Sequence, residues 1–158
     1  MRNTNLVELL INKGYKISFA ESCTGGMVSA SIVDVPAASK VIDMSFVTYS
    51  NESKIELLDV DPKLIEQYGV VSEEVAAAMA IGCSKKAKSD IGVGVSGIAG
   101  PTGQTPTKPI GMVCFGFYLD GKIYTETIQF GNIGRLQVRV SSVEFVINYL
   151  IKLLSEPA

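Results

Sequence analysis

Three residues that could act as nucleophiles follow one another near the start of the chain. The segment from Ala20 to Gly26 reads Ala-Glu-Ser-Cys-Thr-Gly-Gly, so Ser22, Cys23 and Thr24 directly precede two glycines. The chain contains no histidine, and histidine is the usual general base and the commonest metal ligand in enzymes. The composition therefore excludes a Ser-His-Asp triad, a Cys-His pair and a histidine-ligated zinc site. Nucleophilic attack from this segment needs another base.

Lys54 is the base that the sequence favours. It falls in the first turn of a helix that Ser50 is expected to cap, where the helix dipole disfavours a positive charge and lowers the lysine pKa. Partial burial would lower the pKa further, and a neutral amine can take the proton of a serine hydroxyl. The alternative is a solvated surface lysine. Tyr49 lies at the end of the preceding strand. It either relays a proton or orients the reacting groups, or it is an aromatic residue at the edge of the core.

The residue types alone leave the roles of the three candidate nucleophiles open. Thr24 is well placed to cap a helix. Cys23 is typical of a small buried hydrophobic residue, because no group that would stabilise a thiolate is evident, although thiol chemistry remains an alternative. Ser22 either attacks or is itself the N-cap of the helix.

The composition indicates one compact domain without a strong charge. The chain has 158 residues, of which 47% are hydrophobic and 19% charged, and its net charge of −2 provides no bulk attraction to nucleic acid or a membrane. Three widely spaced cysteines without a CxxC pair favour neither a disulfide framework nor a metal site. The polar N-terminus and the lack of a long apolar run predict a cytoplasmic protein.

Helix and strand patterns alternate along the chain and end in a hairpin and a long helix. The predicted strands cover residues 15–20, 41–48, 90–96, 110–119 and 122–130. The first predicted helix ends at Lys13, and a later one is capped by Ser50 and runs through Lys54 to Leu58. The other predicted helices cover about 24–33, 62–68, a run from 73, and 135–154. Asp120-Gly121 is the strongest hairpin signal. This order predicts an α/β fold: a three-layer α/β/α sandwich with a mixed, mainly parallel sheet and a C-terminal β-hairpin followed by a long helix.

Three loops are expected at the carboxyl ends of strands, where α/β sheets bind ligands. They are Glu21–Gly26, Tyr49–Lys54 and Ser96–Gly103. Two of them are rich in glycine, so their backbone amides can approach an anion or an oxyanion closely, and we expect oxyanion donors around Thr24–Gly26 or at Gly97. Arg135 and Arg139 lie four residues apart on one helix face, and they either bind a phosphate or form an ordinary exposed pair.

Five segments together resemble the CinA C-terminal domain family. They are Ala20-Glu-Ser-Cys-Thr-Gly-Gly26, Tyr49-Ser-Asn-Glu-Ser-Lys54, Tyr68-Gly-Val-Val-Ser-Glu73, Ser96-Gly-Ile-Ala-Gly-Pro101 and Lys108-Pro-Ile-Gly111. Characterised members of the family are nicotinamide-nucleotide amidases. The resemblance therefore implies hydrolysis of nicotinamide mononucleotide to nicotinate mononucleotide and ammonia, in pyridine nucleotide recycling and without a cofactor or metal. It also implies a single stand-alone domain over residues 1–158, a pyridine nucleotide as the small-molecule partner, and an assembly that is often a homodimer.

The resemblance also implies a role for each residue of the site. Ser22 matches the nucleophile, and Lys54 and Tyr49 match the activating residues. The residues expected to bind the substrate are Glu21, Cys23, Thr24, Gly25, Gly26, Ser96, Gly97, Ile98, Ala99, Gly100 and Arg135. A catalytically silent nucleotide-binding paralogue that regulates a partner is the alternative function.

Two segments differ from the pattern of the family. The loop from Thr102 to Thr107 has no run of glycines, and Phe130-Gly-Asn-Ile-Gly-Arg135 stands in place of Phe-x-Gly-Asp-Arg. Both segments lie where a phosphate or a ribose would be bound.

Overall fold

Five strands form one mixed sheet that is covered by helices on both faces. The computed structural model describes residues 2–156. The elements are α1 (Arg2–Lys13), β1 (Ile17–Glu21), α2 (Met27–Val33), a 3₁₀ turn (Ala38–Lys40), β2 (Phe46–Val47), α3 (Asn51–Leu58), α4 (Pro62–Tyr68), α5 (Glu73–Ala87), β3 (Ile91–Gly97), β4 (Met112–Leu119), β5 (Lys122–Gln129) and α6 (Arg135–Ser155). Helices α1, α2 and α6 pack together on one face, and α3, α4 and α5 pack together on the other. The predicted three-layer α/β/α sandwich is confirmed.

The sheet has the strand order β2-β1-β3-β4-β5. Strand β1 pairs in parallel with β2 and β3, and β4 pairs in antiparallel fashion with β3 and β5. Four strands therefore point the same way and only β4 is reversed. The prediction of a mixed, mainly parallel sheet is confirmed. Asp120 and Gly121 form the two-residue hairpin turn with φ angles of 51° and 76°, as the sequence predicted.

Glycines on the sheet allow α5 to lie close against it. A Cβ atom built on Gly94 would lie 2.2 Å from the carbonyl oxygen of Ala76, and one built on Gly116 would lie 2.5 Å from the same atom. Larger residues at these two positions would force the helix away from the sheet. This close approach places the N-terminal end of α5 beside the site described below.

Strand β2 is much shorter than predicted. It comprises only Phe46–Val47, whereas the apolar pattern predicted a strand over 41–48. The N–H of Ile17 donates to the carbonyl of Val41, which is fully buried just after the 3₁₀ turn, and the N–H of Phe19 donates to the hydroxyl of Ser45. Because these contacts already satisfy the donors on this side of β1, the chain meets β1 without forming a longer strand ladder.

The longest helix, α6, is amphipathic and lies on the sheet. Its buried residues include Val138, Val146 and Leu150, and Phe115 of β4 contacts Phe145 of α6 with ring centroids 4.5 Å apart. Over residues 2–156, no helix has both the length and the apolar character needed to cross a membrane.

Candidate active site

The carboxyl ends of β1, β2 and β3 meet at one edge of the sheet, where a cavity of about 320 Å³ opens. It brings together eight of the residues that the sequence predicted: Ser22, Cys23, Tyr49, Ser96, Gly97, Ile98, Ala99 and Arg135. It adds Asn51, Val70, Val71, Thr102 and Gly103, which were not among the predicted site residues, although Asn51, Thr102 and Gly103 lie in two of the loops expected to bind a ligand. Asn51 and the two valines lie within segments that resembled the family, so their place in those segments was the available signal.

Lys54 and Ser22 are in direct contact at the floor of this cavity. The Lys54 Nζ lies 3.0 Å from the Ser22 Oγ. Lys54 is fully buried, and its Nζ also lies 2.7 Å from the carbonyl oxygen of Thr48 and 3.1 Å from that of Tyr49. The alternative of a solvated surface lysine is therefore wrong.

Burial lowers the pKa of Lys54 to about 8, and the nearby Cys23 opposes this shift to a smaller extent. The sequence argument named the helix dipole first and burial second, and burial is the main cause in the structure. A neutral amine has two hydrogens and one lone pair. The hydrogens can be donated to the carbonyls of Thr48 and Tyr49, which leaves the lone pair to accept the hydroxyl proton of Ser22.

Glu21 holds the start of α2 and does not face the cavity. Its side chain is fully buried. The Oε1 atom accepts from the backbone N–H groups of Gly26 (3.2 Å) and Val28 (2.9 Å), and the Oε2 atom accepts from the N–H (2.9 Å) and the hydroxyl (2.7 Å) of Ser29. A carboxylate at this position also complements the positive end of the helix dipole. Glu21 therefore holds the turn between β1 and α2, and it is not among the residues that line the cavity.

The predicted capping role of Thr24 is wrong. Helix α2 begins at Met27 rather than at Thr24, because Gly26 adopts a positive φ of 102° and the cap is supplied by Glu21. The Thr24 hydroxyl is buried and has no hydrogen-bond partner within residues 2–156.

The backbone amides that follow Ser22 differ in whether they already have an acceptor. The N–H of Gly25 donates to the carbonyl of Ser22 at 3.1 Å, and that of Gly26 is held by Glu21, so these two predicted donors are engaged. The N–H groups of Cys23 and Thr24 donate to no acceptor in the described part of the chain. An oxyanion site beside the nucleophile commonly uses the amide of the next residue.

Cys23 lines the cavity as a protonated thiol. It is buried, and this burial raises its pKa to about 11. A thiol of this kind is a weak nucleophile near neutral pH, which argues against thiol chemistry here. Among the described residues, no three His, Cys, Asp or Glu side chains group as metal ligands.

The Tyr49 side chain lies at the mouth of the cavity and forms no hydrogen bond with Lys54, the candidate base. It is 61% exposed, and its hydroxyl accepts a hydrogen bond from the Arg135 Nη2 at 3.1 Å. The Tyr49 group that contacts Lys54 is the main-chain carbonyl. A second Arg135 nitrogen, Nη1, donates to the carbonyl of Gly100 at 2.8 Å. Arg135 therefore joins two loops across the mouth of the cavity.

Arg139 supports the turn that carries the nucleophile. Its Nε donates to the carbonyl of Cys23 at 2.9 Å and its Nη2 to that of Thr24 at 3.2 Å. The two arginines thus differ in role, since only Arg135 lines the cavity.

The loop after β3 forms one wall of the cavity. The Ser96 side chain is almost fully buried, and its hydroxyl donates to the carbonyl of Val70 at 2.8 Å. A Cβ atom built on Gly97 would lie 2.7 Å from the Val113 side chain. The hydroxyl of Ser96 thus holds Val70, which also lines the cavity, while Ile98 and Ala99 add apolar surface.

Comparisons with known proteins identify relatives along almost the whole chain. The family model of the CinA C-terminal domain matches residues 2–154. A CinA-like protein from Kosmotoga olearia is 43% identical over 94% of this chain and 36% of its own length. A CinA-like protein from Dictyoglomus thermophilum is 42% identical over 94% of this chain and 37% of its own length. The chain therefore spans about a third of the length of these curated relatives.

Solved structures of similar proteins share the fold. A competence-damaged protein (CinA) superfamily protein from Escherichia coli has a TM-score of 0.93 and 31% identity, with 96% of this chain and 88% of that chain covered. A competence/damage inducible protein from Agrobacterium tumefaciens has a TM-score of 0.91 and 32% identity, with 99% and 97% covered. The shared fold and the match to the family model agree with the motifs around Ser22 and Lys54, and the chain belongs to the CinA C-terminal domain family.

Proposed function

We propose that this chain hydrolyses the carboxamide of nicotinamide mononucleotide to nicotinate mononucleotide and ammonia. The observation that carries the proposal is the contact of 3.0 Å between the buried Lys54 Nζ and the Ser22 Oγ, at the floor of a cavity large enough for a small ligand. A serine whose proton can pass to a neutral lysine is an established nucleophile for acyl transfer.

In the first half of the reaction, Ser22 becomes acylated. The Lys54 amine takes the hydroxyl proton as the Ser22 Oγ attacks the carboxamide carbon and the carbonyl π bond opens. The resulting oxyanion accepts hydrogen bonds from the N–H groups of Cys23 and Thr24. Lys54 then passes its proton to the carboxamide nitrogen, the carbon–nitrogen bond breaks, and ammonia leaves.

In the second half, water releases the product. Neutral Lys54 takes a proton from a water molecule that attacks the ester carbon, and the same two amides bind the second oxyanion. The bond between carbon and the Ser22 Oγ then breaks and Lys54 returns the proton to the serine. The carboxylic acid product ionises, and the site regains its starting state.

The mouth of the cavity suits the charged end of a nucleotide. Arg135 presents a planar guanidinium there, and such a group can bind a phosphate through two hydrogen bonds. Its present partners, the Tyr49 hydroxyl and the Gly100 carbonyl, are neutral acceptors that an anionic phosphate can replace. The proposal thus places the carboxamide at Ser22 and the phosphate near Arg135.

The test is ammonia release from nicotinamide mononucleotide by the wild type and by the Ser22→Ala and Lys54→Met variants. Loss of the nucleophile or the base should lower kcat by about a thousandfold or more. Ser141→Ala and Lys63→Met are matched controls, since both residues lie outside the cavity, on α6 and α4. Undiminished turnover in Ser22→Ala would contradict a mechanism in which Ser22 is the nucleophile. Tight nucleotide binding without turnover by the wild type would instead support a silent, regulatory paralogue.

A further inference from the structure

One lysine joins the loop between β3 and β4 to the end of α4 and the segment that follows it. Lys108 lies in the loop between β3 and β4, and its Nζ donates hydrogen bonds to the carbonyl oxygens of Tyr68 and Val71. Tyr68 is the last residue of α4, and Val71 lies in the connection between α4 and α5. A Cβ atom built on Gly69 would lie 2.7 Å from this Nζ. The ammonium therefore occupies a space that a glycine leaves open.

The connection between α4 and α5 is held by side chains along its whole length. The hydroxyl of Ser72 donates to the carbonyl of Gly69 at 2.8 Å, and that of Ser96 donates to the carbonyl of Val70 at 2.8 Å. With the two bonds from Lys108, each of the four consecutive carbonyls from residue 68 to residue 71 accepts a side-chain hydrogen bond. The position of this connection thus depends on side chains rather than on a strand ladder.

Val70 and Val71 of this connection form an apolar wall of the cavity. Aliphatic side chains of this kind suit the face of a flat aromatic ring. Lys108 donates to the carbonyl of Val71 itself, although it does not line the cavity. A charge-assisted hydrogen bond is stronger than a neutral one, so removing the ammonium should free the wall to move.

We propose that Lys108 is a positioning residue, which fixes the wall formed by Val70 and Val71 against the pyridine ring of the substrate. The identity of the ring rests on the proposed function. The wall contacts the ring in the bound substrate and in the transition state alike, because the reacting carbon lies outside the ring. Loss of such uniform binding raises KM and leaves kcat nearly unchanged.

The experiment compares Lys108→Met, Lys108→Arg and the control Lys13→Met, an exposed lysine at the end of α1. Hydrogen exchange reports the order of residues 68–72, and steady-state kinetics gives KM and kcat for nicotinamide mononucleotide. In Lys108→Met we expect faster exchange in this segment and an increase of about tenfold in KM, with kcat within about twofold. Lys108→Arg keeps a positive charge, so its exchange rate and its KM should lie closer to those of the wild type. If Lys108→Met does not fold, Lys108→Gln, which keeps a shorter donor, should give an intermediate result.

Unchanged exchange over 68–72 in Lys108→Met, or a fall in kcat without a change in KM, would overturn the inference. A wild type that releases no ammonia would defeat the proposed function separately. The exchange data, together with calorimetric binding of nicotinamide mononucleotide to the same variants, would then still decide whether Lys108 fixes the position of Val70 and Val71.

Discussion

Lys54 can act as a base only while its amine is neutral, so its protonation controls the proposed reaction. Burial lowers the pKa of Lys54 to about 8, whereas an exposed lysine keeps its proton up to about pH 10. A charged ammonium has no lone pair and cannot accept the proton of Ser22. Activity should therefore be present above the lowered pKa and should be lost as the pH falls through it.

The pH dependence of ammonia release tests this requirement. We expect kcat/KM to rise about tenfold per pH unit below the Lys54 pKa and to level off above it, because only the neutral amine is active. The measurement is kcat/KM between about pH 6 and about pH 10 at constant ionic strength. Lys63→Met should reproduce the wild-type profile. A flat profile, or one that falls with rising pH, would contradict a lysine base.

At the scale of elements, the starts of three helices could be predicted because their caps are local. Ser50, Asp61 and Ser72 each accept a backbone N–H from two or three residues further along the chain. The start of α2 could not be predicted in this way. Its cap is Glu21, a residue at the end of a strand whose carboxylate reaches across the intervening turn, and no local capping pattern describes that contact.

In the candidate site, too, features that depend on local sequence could be predicted, and features that depend on the tertiary fold could not. The pairing of Ser22 with Lys54 followed from residue types and from the family resemblance. The complete burial of Lys54 did not follow, because it depends on how the turn between β2 and α3 folds around the amine. The position of the Tyr49 side chain could not be predicted for a related reason, since the sequence cannot show whether the side chain or the carbonyl of a residue faces Lys54.

Glu21 offers a prediction about the helix that it caps. Glu21→Gln replaces one carboxylate oxygen by an NH₂ group, which donates instead of accepting, so two of the four donors at the start of α2 lose their acceptor. We expect the free energy of unfolding to fall by about 1–3 kcal/mol. We also expect a larger loss in kcat than in substrate affinity, because the free amides of Cys23 and Thr24 lie in the same turn. Urea denaturation and steady-state kinetics measure the two effects.

Glu74→Gln is the control for this prediction. Glu74 is exposed in the first turn of α5, and neutralising it should change stability by less than about 0.5 kcal/mol. Equal stability of Glu21→Gln and the wild type would show that the carboxylate is not needed to hold the turn.

At the scale of the whole molecule, the site depends on how closely the layers pack. The parallel strands β1 and β3 bring the nucleophile turn and the loop after Gly97 to one edge of the sheet. Helix α5 brings the third part, since the apolar wall of Val70 and Val71 directly precedes it. The wall directly precedes the helix that lies against glycines of the sheet, so we expect a shift of α5 to move the wall.

Gly94→Ala tests this dependence on layer spacing. The added Cβ would lie 2.2 Å from the backbone carbonyl oxygen of Ala76, so the helix must shift away from the sheet. We expect the free energy of unfolding to fall by about 3 kcal/mol, with an increase in KM as the wall moves with α5. Because the closest collision is with the backbone oxygen of Ala76, removing the side chain of that residue by Ala76→Gly should not rescue stability. Urea denaturation of the single and double variants decides the point. A loss below about 1 kcal/mol in Gly94→Ala would show that the layers can separate without cost to the fold.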